Sequence, residues 1–329
     1  MSSPATQQPS PQLFFQTVNS YQRTEALKAA IELNIFTAIG EGNSSAQEIA
    51  KRCDASERGT RILSDFLCVM GFLNKQDGKY TLTPDSAVFL DQKSPAYLGG
   101  AIEFMLSPTL KDGFNDFAAV VRKGGTLSEE GGTVAPDHPV WVKFARAMAP
   151  LMAMPAQLIA KLVDPDANQE LKILDIAAGH GLYGIAFAEK NPKAQIVALD
   201  WPNVLSVAKQ NASKAGVSDR YSTIEGSAFE ADFGSGYDIV LLTNFLHHFD
   251  VPTCEGLLKK VHGALKPGGR AVTLEFVPNE DRISPSDAAA FSVMMLGSTP
   301  AGDAYTFSEL ERMARNAGFS RSELHPLPP

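Results

Sequence analysis

The chain has 329 residues, which is enough for two domains, and 44% hydrophobic with 20% charged residues is ordinary globular composition. A formal net charge of −8 disfavours a nucleic-acid partner, because a phosphate backbone demands a concentrated basic face. Three scattered cysteines outside any C-x-x-C spacing predict neither disulfides nor a metal site. No signal-like start and no run of ~18 apolar residues is found, so we expect a cytoplasmic protein without membrane contact.

The first half of the chain is predicted to be mostly helical. Residues 1–12 are rich in Ser, Pro and Gln and predict a disordered tail. Residues 13–95 show helical periodicity and end in KQDGKYTLTP, a hairpin with its turn at Asp77 and Gly78. This order predicts a winged-helix domain, followed by connecting helices and loops over residues 96–164.

Residues 165–329 change to short apolar runs that alternate with amphipathic helices. The runs are KILDIAA, QIVALD, YSTIEG, YDIVLLTN and RAVTLEFV. Such alternation predicts a parallel, doubly wound α/β sheet of the Rossmann-like class.

A nucleotide site is predicted where the first of these strands meets its helix. In ILDIAAGHGLYGIAFA, Gly179 and Gly181 let the backbone approach a ligand, and the next helix offers its N-terminal amides. Asp175 lies in the strand, and 25 positions later Asp200 closes the second strand, where a carboxylate can accept hydrogen bonds from both ribose hydroxyls. A dehydrogenase fingerprint or mere turn glycines are the alternatives. The first is disfavoured by the acid inside the strand.

The motifs LDIAAGHG, EGSAF, LLTNFLHHFD, LKPGG and TLEFVPNEDR, in this order, resemble those of class I O-methyltransferases of plant phenylpropanoid and bacterial secondary metabolism. The resemblance covers nearly the whole chain. It implies S-adenosylmethionine (SAM) as cofactor, a homodimer formed through the N-terminal domain, and methyl transfer to a hydroxyl group of a small aromatic or polyketide-like acceptor. The cofactor-binding residues implied are Asp175, Ala177, Gly179, Gly181, Asp200, Trp201, Ser227, Ala228, Phe229 and Thr243.

Three of these positions depart from the family pattern. Ala177 replaces the first glycine of the loop, and its methyl group narrows the space in which the loop backbone can approach a ligand. Ser227 stands where an aspartate usually contacts the adenine amine. Thr243 stands where plant members have a lysine near the methionine carboxylate.

The resemblance also implies the catalytic pair. Loss of a proton from a phenol needs a base with a pKa near neutrality, and His247 matches the catalytic histidine of the family. Glu275, at the end of the fifth strand, matches a glutamate that hydrogen-bonds this histidine and fixes its tautomer. The second supporting glutamate of the family corresponds to Ala304, with Asp303 as a possible substitute.

The acceptor pocket is predicted to be lined from the connecting helix and from the segment before the last helix, because rings and thioethers adapt to flat substrates. Ordinary core packing is the alternative for these side chains. The predicted substrate contacts are Phe144, Met148, His248, Phe291, Met295 and Tyr305.

Two other function classes stay open at this point. A ligand-sensing winged-helix regulator is disfavoured because residues 44–90 carry six basic and six acidic side chains, whereas a DNA reader should be clearly positive. A SAM-binding enzyme that decarboxylates, cyclises or hydroxylates without methyl transfer is consistent with the altered adenine contacts.

Overall fold

The computed structural model describes residues 8–129, 131–135, 137–164 and 167–327. Residues 1–7 of the predicted tail lie outside the described residues, and the first helix begins at Gln12. The chain forms two compact units, Met1–Ile102 and Glu103–Pro329, and each is described by itself. The predicted domain boundaries at residues 95 and 164 remain predictions.

The first unit consists of helices and one hairpin. The helices are α1 (Gln12–Val18), α2 (Ser20–Glu32), α3 (Ile35–Gly40), α4 (Ala46–Arg52), α5 (Glu57–Met70) and α6 (Pro84–Phe89), and the strands are β1 (Leu73–Gln76) and β2 (Lys79–Leu82). The strands pair antiparallel across Asp77 and Gly78, whose positive φ angles of 50° and 75° suit a tight hairpin turn. The predicted hairpin is thereby confirmed.

The core of the first unit lies between α3, α4, α5 and the hairpin. Ile35, Phe36, Ile49, Leu67 and Tyr80 are almost fully buried there. Helix α1 contributes nothing to this core, since none of its residues is buried.

The second unit begins with helices and continues as an α/β sheet. The helices are α7 (Ile102–Met105), α8 (Pro108–Lys111), α9 (Phe117–Lys123), α10 (Val140–Ala147), α11 (Ala149–Val163), α12 (Leu182–Lys190), α13 (Pro202–Lys214), α14 (Val251–Ala264), α15 (Ser286–Ser298) and α16 (Phe307–Asn316). The strands are β3 (Leu171–Ile176), β4 (Ala194–Asp200), β5 (Tyr221–Glu225), β6 (Tyr237–Thr243) and β7 (Leu265–Leu274).

All strand pairs of this sheet are parallel, in the order β5-β4-β3-β6-β7. Successive side chains of a strand point to opposite faces, so Leu174 and Ile176 join the layer packed by α14 and α16, whereas Ile173 joins the layer packed by α11 and α12. Apolar packing on both faces explains the nearly continuous apolar runs of the sequence. The predicted Rossmann-like α/β fold is confirmed.

The strand order reverses between β3 and β6, because the chain passes outward from β3 to β5 and then returns to the other side of β3. In open parallel sheets a crevice forms at such a reversal, outside the carboxyl ends of the strands.

Candidate active site

Polar residues predicted for the site end or follow all five parallel strands. Asp175 is the penultimate residue of β3, and Asp200 is the last residue of β4. Ser227 follows β5, His247 follows β6, and Glu275 comes directly after β7. Because the carboxyl ends of parallel strands share one edge of the sheet, all five lie at the edge where the crevice opens.

Asp200 is tied to the glycine loop by backbone hydrogen bonds. Its Oδ2 accepts from the amide of Gly179 at 2.8 Å, and its Oδ1 accepts from the amide of Trp201 at 2.7 Å. Burial raises the pKa of Asp200 to about 6, and the two amides oppose this rise. Each carboxylate oxygen keeps a second lone pair for another donor.

Asp175 is fully buried beneath the same loop. It points to the face of the sheet that α12 covers, where its Oδ2 accepts from the amide of Gly184 at 3.0 Å. Its Oδ1 has no hydrogen-bond partner among the described residues. Burial, together with the nearby charge of Asp200, raises the pKa of Asp175 to about 7. Asp175 therefore holds the start of α12.

The two glycines of the loop face different surroundings. A side chain at Gly181 would collide with the hydroxyl of Tyr221 and with Ala208, so the absence of a Cβ there serves packing inside the protein. A Cβ at Gly179 would meet only the Phe144 ring, at an ordinary 3.7 Å. Of the two glycines, Gly179 is thus the one at which a side chain would meet no clash.

Ala177 adopts the left-handed conformation that the family's glycine would adopt easily, with a φ of 53°. An L-residue with a Cβ pays roughly 1–2 kcal/mol for this conformation. The turn predicted at Ala177 is thus formed, but under backbone strain.

The predicted adenine-side residues form a turn after β5. Ser227 accepts from the amide of Phe229 through its Oγ at 3.2 Å, while Ala228 is buried and Phe229 is 41% exposed. Lys260 of α14 donates to three carbonyl oxygens of this turn, those of Ala228 (3.0 Å), Phe229 (3.1 Å) and Ala231 (2.7 Å). Nothing in the sequence pattern pointed to Lys260.

His247 and Glu275 form a buried hydrogen-bonded pair. His247 Nδ1 lies 2.5 Å from Glu275 Oε2, and both side chains are about 5% exposed. Glu275 Oε1 accepts from the amides of Phe245 (3.1 Å) and Leu246 (2.9 Å), so one carboxylate orients both the imidazole and the backbone turn that carries it. With Nδ1–H donated to the carboxylate, Nε2 is left as the acceptor nitrogen.

Aromatic rings connect this pair with the glycine loop. Phe144 stacks on His180 of the loop (6.2 Å between centroids) and meets Trp141 at 5.6 Å. Trp141 meets His248 edge-on at 5.2 Å, and Phe291 lies edge-on to His247 at 4.8 Å. The predicted residues Phe144, His248 and Phe291 are thereby brought together with the loop and the base.

Sequence reasoning missed four aromatic residues of this region. Trp141 precedes Phe144 by three positions on the same face of α10, a spacing that offered a signal. Phe104 lies 5.0 Å from Phe144, and Phe276 stacks on Phe291 at 4.0 Å. The unpaired hydroxyl of Tyr221 is buried beneath the loop, and its sequence position gave no hint of this.

His248 is buried beside the base, and no charged side chain of the described residues pairs with it. Burial, and next the neighbouring His247, lowers the pKa of His248 well below its ordinary value, so its imidazole is neutral. Its Nδ1 is buried without a hydrogen-bond partner among the described residues.

The remaining predicted substrate contacts are placed elsewhere. The Tyr305 ring belongs to the core beneath the sheet, and its hydroxyl donates to the Phe249 carbonyl at 2.5 Å. Met295 is buried within α15 at 3% exposure, and Met148 caps the end of α10. Thr243 is buried at the end of β6, and Trp201 packs against α10 and α13.

Within the described ranges, no group of three or more His, Cys, Asp or Glu side chains is arranged to hold a metal ion. None of the helices in that part of the chain is long and apolar enough to cross a membrane.

Two family models match this chain. One, described as an O-methyltransferase domain, matches residues 114–320. The other, described as an O-methyltransferase dimerisation domain, matches residues 15–92. Together they span both units of the structure.

Individual proteins with similar sequences or structures are known. A 3-hydroxy-5-methyl-1-naphthoate 3-O-methyltransferase from Streptomyces sahachiroi is 28% identical over 319 residues, covering 94% of this chain and 90% of the relative. A crystal structure from Nostoc punctiforme, described as a candidate O-methyltransferase, has a TM-score of 0.95 and 59% identity, and the match covers 98% and 97% of the two chains. Human N-acetylserotonin methyltransferase in complex with SAM has a TM-score of 0.82 and 23% identity, over 97% and 94% of the chains.

Proposed function

Because this chain belongs to the O-methyltransferase family, whose members depend on SAM, we propose that it moves the SAM methyl group onto a hydroxyl of a small aromatic or polyketide-like acceptor. The observation that carries the proposal is the buried His247–Glu275 pair, held at 2.5 Å at the carboxyl edge of the sheet. His247 is the general base in this reaction.

The residues around the glycine loop fit the adenosyl cofactor. Asp200 presents one free lone pair on each carboxylate oxygen, as two neighbouring ribose hydroxyls require. Gly179 faces only the Phe144 ring at an ordinary contact distance, and the turn at Ser227 lies after the neighbouring strand. When bound, SAM supplies an electrophilic methyl group on a sulfonium, so the chain needs to supply only orientation and a base.

The proton transfer follows from the hydrogen bonds of the base. Glu275 fixes the imidazole with Nδ1–H toward its carboxylate, which leaves Nε2 to accept the proton of an acceptor hydroxyl. The same carboxylate stabilises the imidazolium that forms. His248 beside the base is buried and neutral, so it places no positive charge next to the imidazolium that forms at His247.

The acceptor class is inferred from the rings around the base. Phe291 lies edge-on to His247 and stacks on Phe276, and Trp141 lies edge-on to the adjacent His248. Such rings favour a flat, apolar acceptor with a hydroxyl directed at the imidazole. The naphthoate in the name of the Streptomyces relative is of this kind.

The test is transfer of a labelled methyl group from SAM to a panel of aromatic hydroxyl compounds, including a hydroxynaphthoate and N-acetylserotonin. For any acceptor that is methylated, His247→Ala is expected to lower kcat by about 10²–10⁴-fold, the usual contribution of a general base. Binding of S-adenosylhomocysteine (SAH), measured by calorimetry, should stay within about twofold of the wild type because His247 lies outside the cofactor residues.

His325→Ala is the matched control, since this histidine is exposed and lies near the end of the chain. It should leave kcat unchanged. Full activity of His247→Ala would contradict the assignment of the base. SAH binding without transfer to any acceptor would favour the non-methylating alternative, which the relatives named for methyl transfer do not support.

We further infer that the protein is a homodimer through its first unit. The dimerisation model matches residues 15–92, and α1 exposes Leu13, Phe14 and Phe15 at 75%, 63% and 56%. Large apolar side chains at such exposure on one short helix are typical of an interaction surface. A second copy of the chain is the partner that this match supports.

A further inference from the structure

The segment Gly297–Gly302, here called the strap, joins α15 to the residues before α16 and packs against the turn that carries His247. A Cβ added at Gly302 would overlap the His247 carbonyl oxygen and lie 2.9 Å from the His248 carbonyl carbon. The φ of Gly302 lies outside the left-handed region, so its backbone conformation is open to any residue. The same Cβ would lie 2.8 Å from the Thr299 hydroxyl oxygen, so the glycine is required chiefly by the backbone of the turn that carries His247 and also by Thr299.

The strap is held on its other side by two more glycines. A Cβ at Gly125 would overlap the Pro300 carbonyl oxygen, and one at Gly132 would overlap that of Ser298. The amide of Thr126 donates to the Thr299 carbonyl at 2.8 Å, and the Thr133 hydroxyl donates to the Ser298 carbonyl at 3.1 Å. Backbone is thus packed closely on backbone at Ser298 and Pro300 as well as at Gly302, which leaves little space for a shift of the strap.

Internal hydrogen bonds fix the strap itself. The Thr299 hydroxyl donates to the Met295 carbonyl of α15 at 2.8 Å and accepts from the Gly302 amide at 2.9 Å. Thr299 is fully buried. Helix α15 also carries Phe291, whose ring faces His247. The strap therefore links the ring beside the imidazole with the backbone that supports it.

We propose that Gly302 is a positioning residue for His247, acting through the close contact between the strap and the His247 carbonyl. This inference rests on the proposed role of His247 as the base. Ala304, which stands where the family resemblance implies a second supporting glutamate, is fully buried and has no group to orient the imidazole. Backbone packing by the strap supplies that support here, and Glu275 supplies the hydrogen bond.

Gly302→Ala tests the proposal. The added methyl group must move the strap and the turn apart by roughly 1 Å, and a displacement of the turn moves Nε2 away from the reacting hydroxyl. We expect kcat to fall about 10–10²-fold, with the KM for SAM and the SAH affinity within about threefold of the wild type. We also expect the downfield NMR resonance of the His247 Nδ1 proton, assigned by its loss in His247→Ala, to shift or broaden.

Gly256→Ala is the matched control. Gly256 lies in α14, and nothing is found within 4 Å of a Cβ built there, so kcat, SAH affinity and the NMR resonance should be unchanged. Gly125→Ala displaces the strap at Pro300, away from Gly302, and should reproduce the kcat loss and the resonance shift at intact SAH affinity. This second variant keeps the test valid if Gly302→Ala does not fold.

An unchanged kcat and an unchanged Nδ1 resonance in a folded Gly302→Ala protein would overturn the inference. So would a loss of SAH affinity and melting temperature in proportion to kcat, because that is the behaviour of a general packing defect. If His247→Ala itself retains activity, the proposed base is wrong. If His247→Ala loses activity and the two glycine variants do not, only the role of the strap is wrong.

Discussion

At the scale of residues, the two buried carboxylates beside the glycine loop, Asp175 in β3 and Asp200 at the end of β4, differ in their hydrogen bonds. Asp200 accepts two backbone hydrogen bonds, whereas Asp175 accepts one and leaves its Oδ1 without a partner among the described residues. Fewer hydrogen bonds and complete burial explain why the pKa of Asp175, about 7, is higher than that of Asp200, about 6.

Asp175→Asn is expected to stabilise the protein increasingly as the pH rises. A raised carboxyl pKa means that the folded state holds its proton more tightly than the unfolded state, so the contribution of Asp175 to stability falls between about pH 4 and pH 7. Asparagine does not titrate and can still accept from the Gly184 amide. The difference in unfolding free energy between variant and wild type should grow by about 2–3 kcal/mol from pH 5 to pH 8.

Urea unfolding at the two pH values measures this difference. Asp219→Asn is the control, because the Asp219 side chain is 75% exposed. This substitution should change the unfolding free energy by the same amount at both pH values. A pH-independent effect of Asp175→Asn would show that the buried carboxyl is not the titrating group.

At the scale of elements, the catalytic turn after β6 is held from several directions. Glu275 binds its amides, the Tyr305 hydroxyl donates to the Phe249 carbonyl, and Cys254 Sγ lies 3.2 Å from the Leu246 carbonyl oxygen. A turn of only three residues in 3₁₀ conformation has little stability of its own. Its geometry is therefore set by β7, α14 and the segment before α16.

Helix α14 also holds the turn after β5, which is the predicted adenine-side turn, through Lys260. Lys260→Met keeps the apolar stem and removes the ammonium that binds three carbonyl oxygens. Loss of these charged hydrogen bonds should weaken SAH binding by about tenfold, which corresponds to roughly 1.4 kcal/mol, with a smaller effect on kcat.

The neighbouring Lys259→Met is the control for this measurement. Its side chain is exposed on the same helix, and it should leave the SAH affinity measured by calorimetry unchanged. Equal affinities of the two variants would argue that the turn forms without Lys260.

At the scale of the whole molecule, the two units differ in how they bury apolar surface. The second unit covers both faces of its sheet with helices, whereas the first leaves the side chains of α1 exposed. Exposure of adjacent phenylalanines on one helix costs free energy in water, and a second copy of the chain can remove it.

The double variant Phe14→Asp, Phe15→Asp is expected to be monomeric in sedimentation velocity at concentrations where the wild type is a dimer. Two carboxylates in a buried apolar contact should raise the dissociation constant on the order of 10²-fold or more. Thr81→Asp adds a charge at an exposed position of β2 and should leave the assembly intact. A dimer of unchanged affinity in the double variant would place the interface elsewhere.

The sequence by itself determined the fold class, the family and the order of the polar residues at the sheet edge. Parallel strands joined by crossover helices have their carboxyl ends at one edge of the sheet, whatever the details of packing. The order of the motifs was therefore enough to predict that Asp200, His247 and Glu275 lie at that edge. The family and its cofactor, implied by the same motifs, are confirmed by the family match.

Only the tertiary structure decided which way individual groups face. Gly181 packs against Tyr221, Tyr305 belongs to the core, and Gly302 lies against the His247 carbonyl. Such contacts join residues that are tens of positions apart in the chain. The hydrophobic pattern of a sequence indicates which side of a helix or strand is buried, but it does not indicate which other segment packs there. Where two backbone segments approach closely, the sequence shows only a glycine, and a glycine by itself does not indicate which segment contacts it.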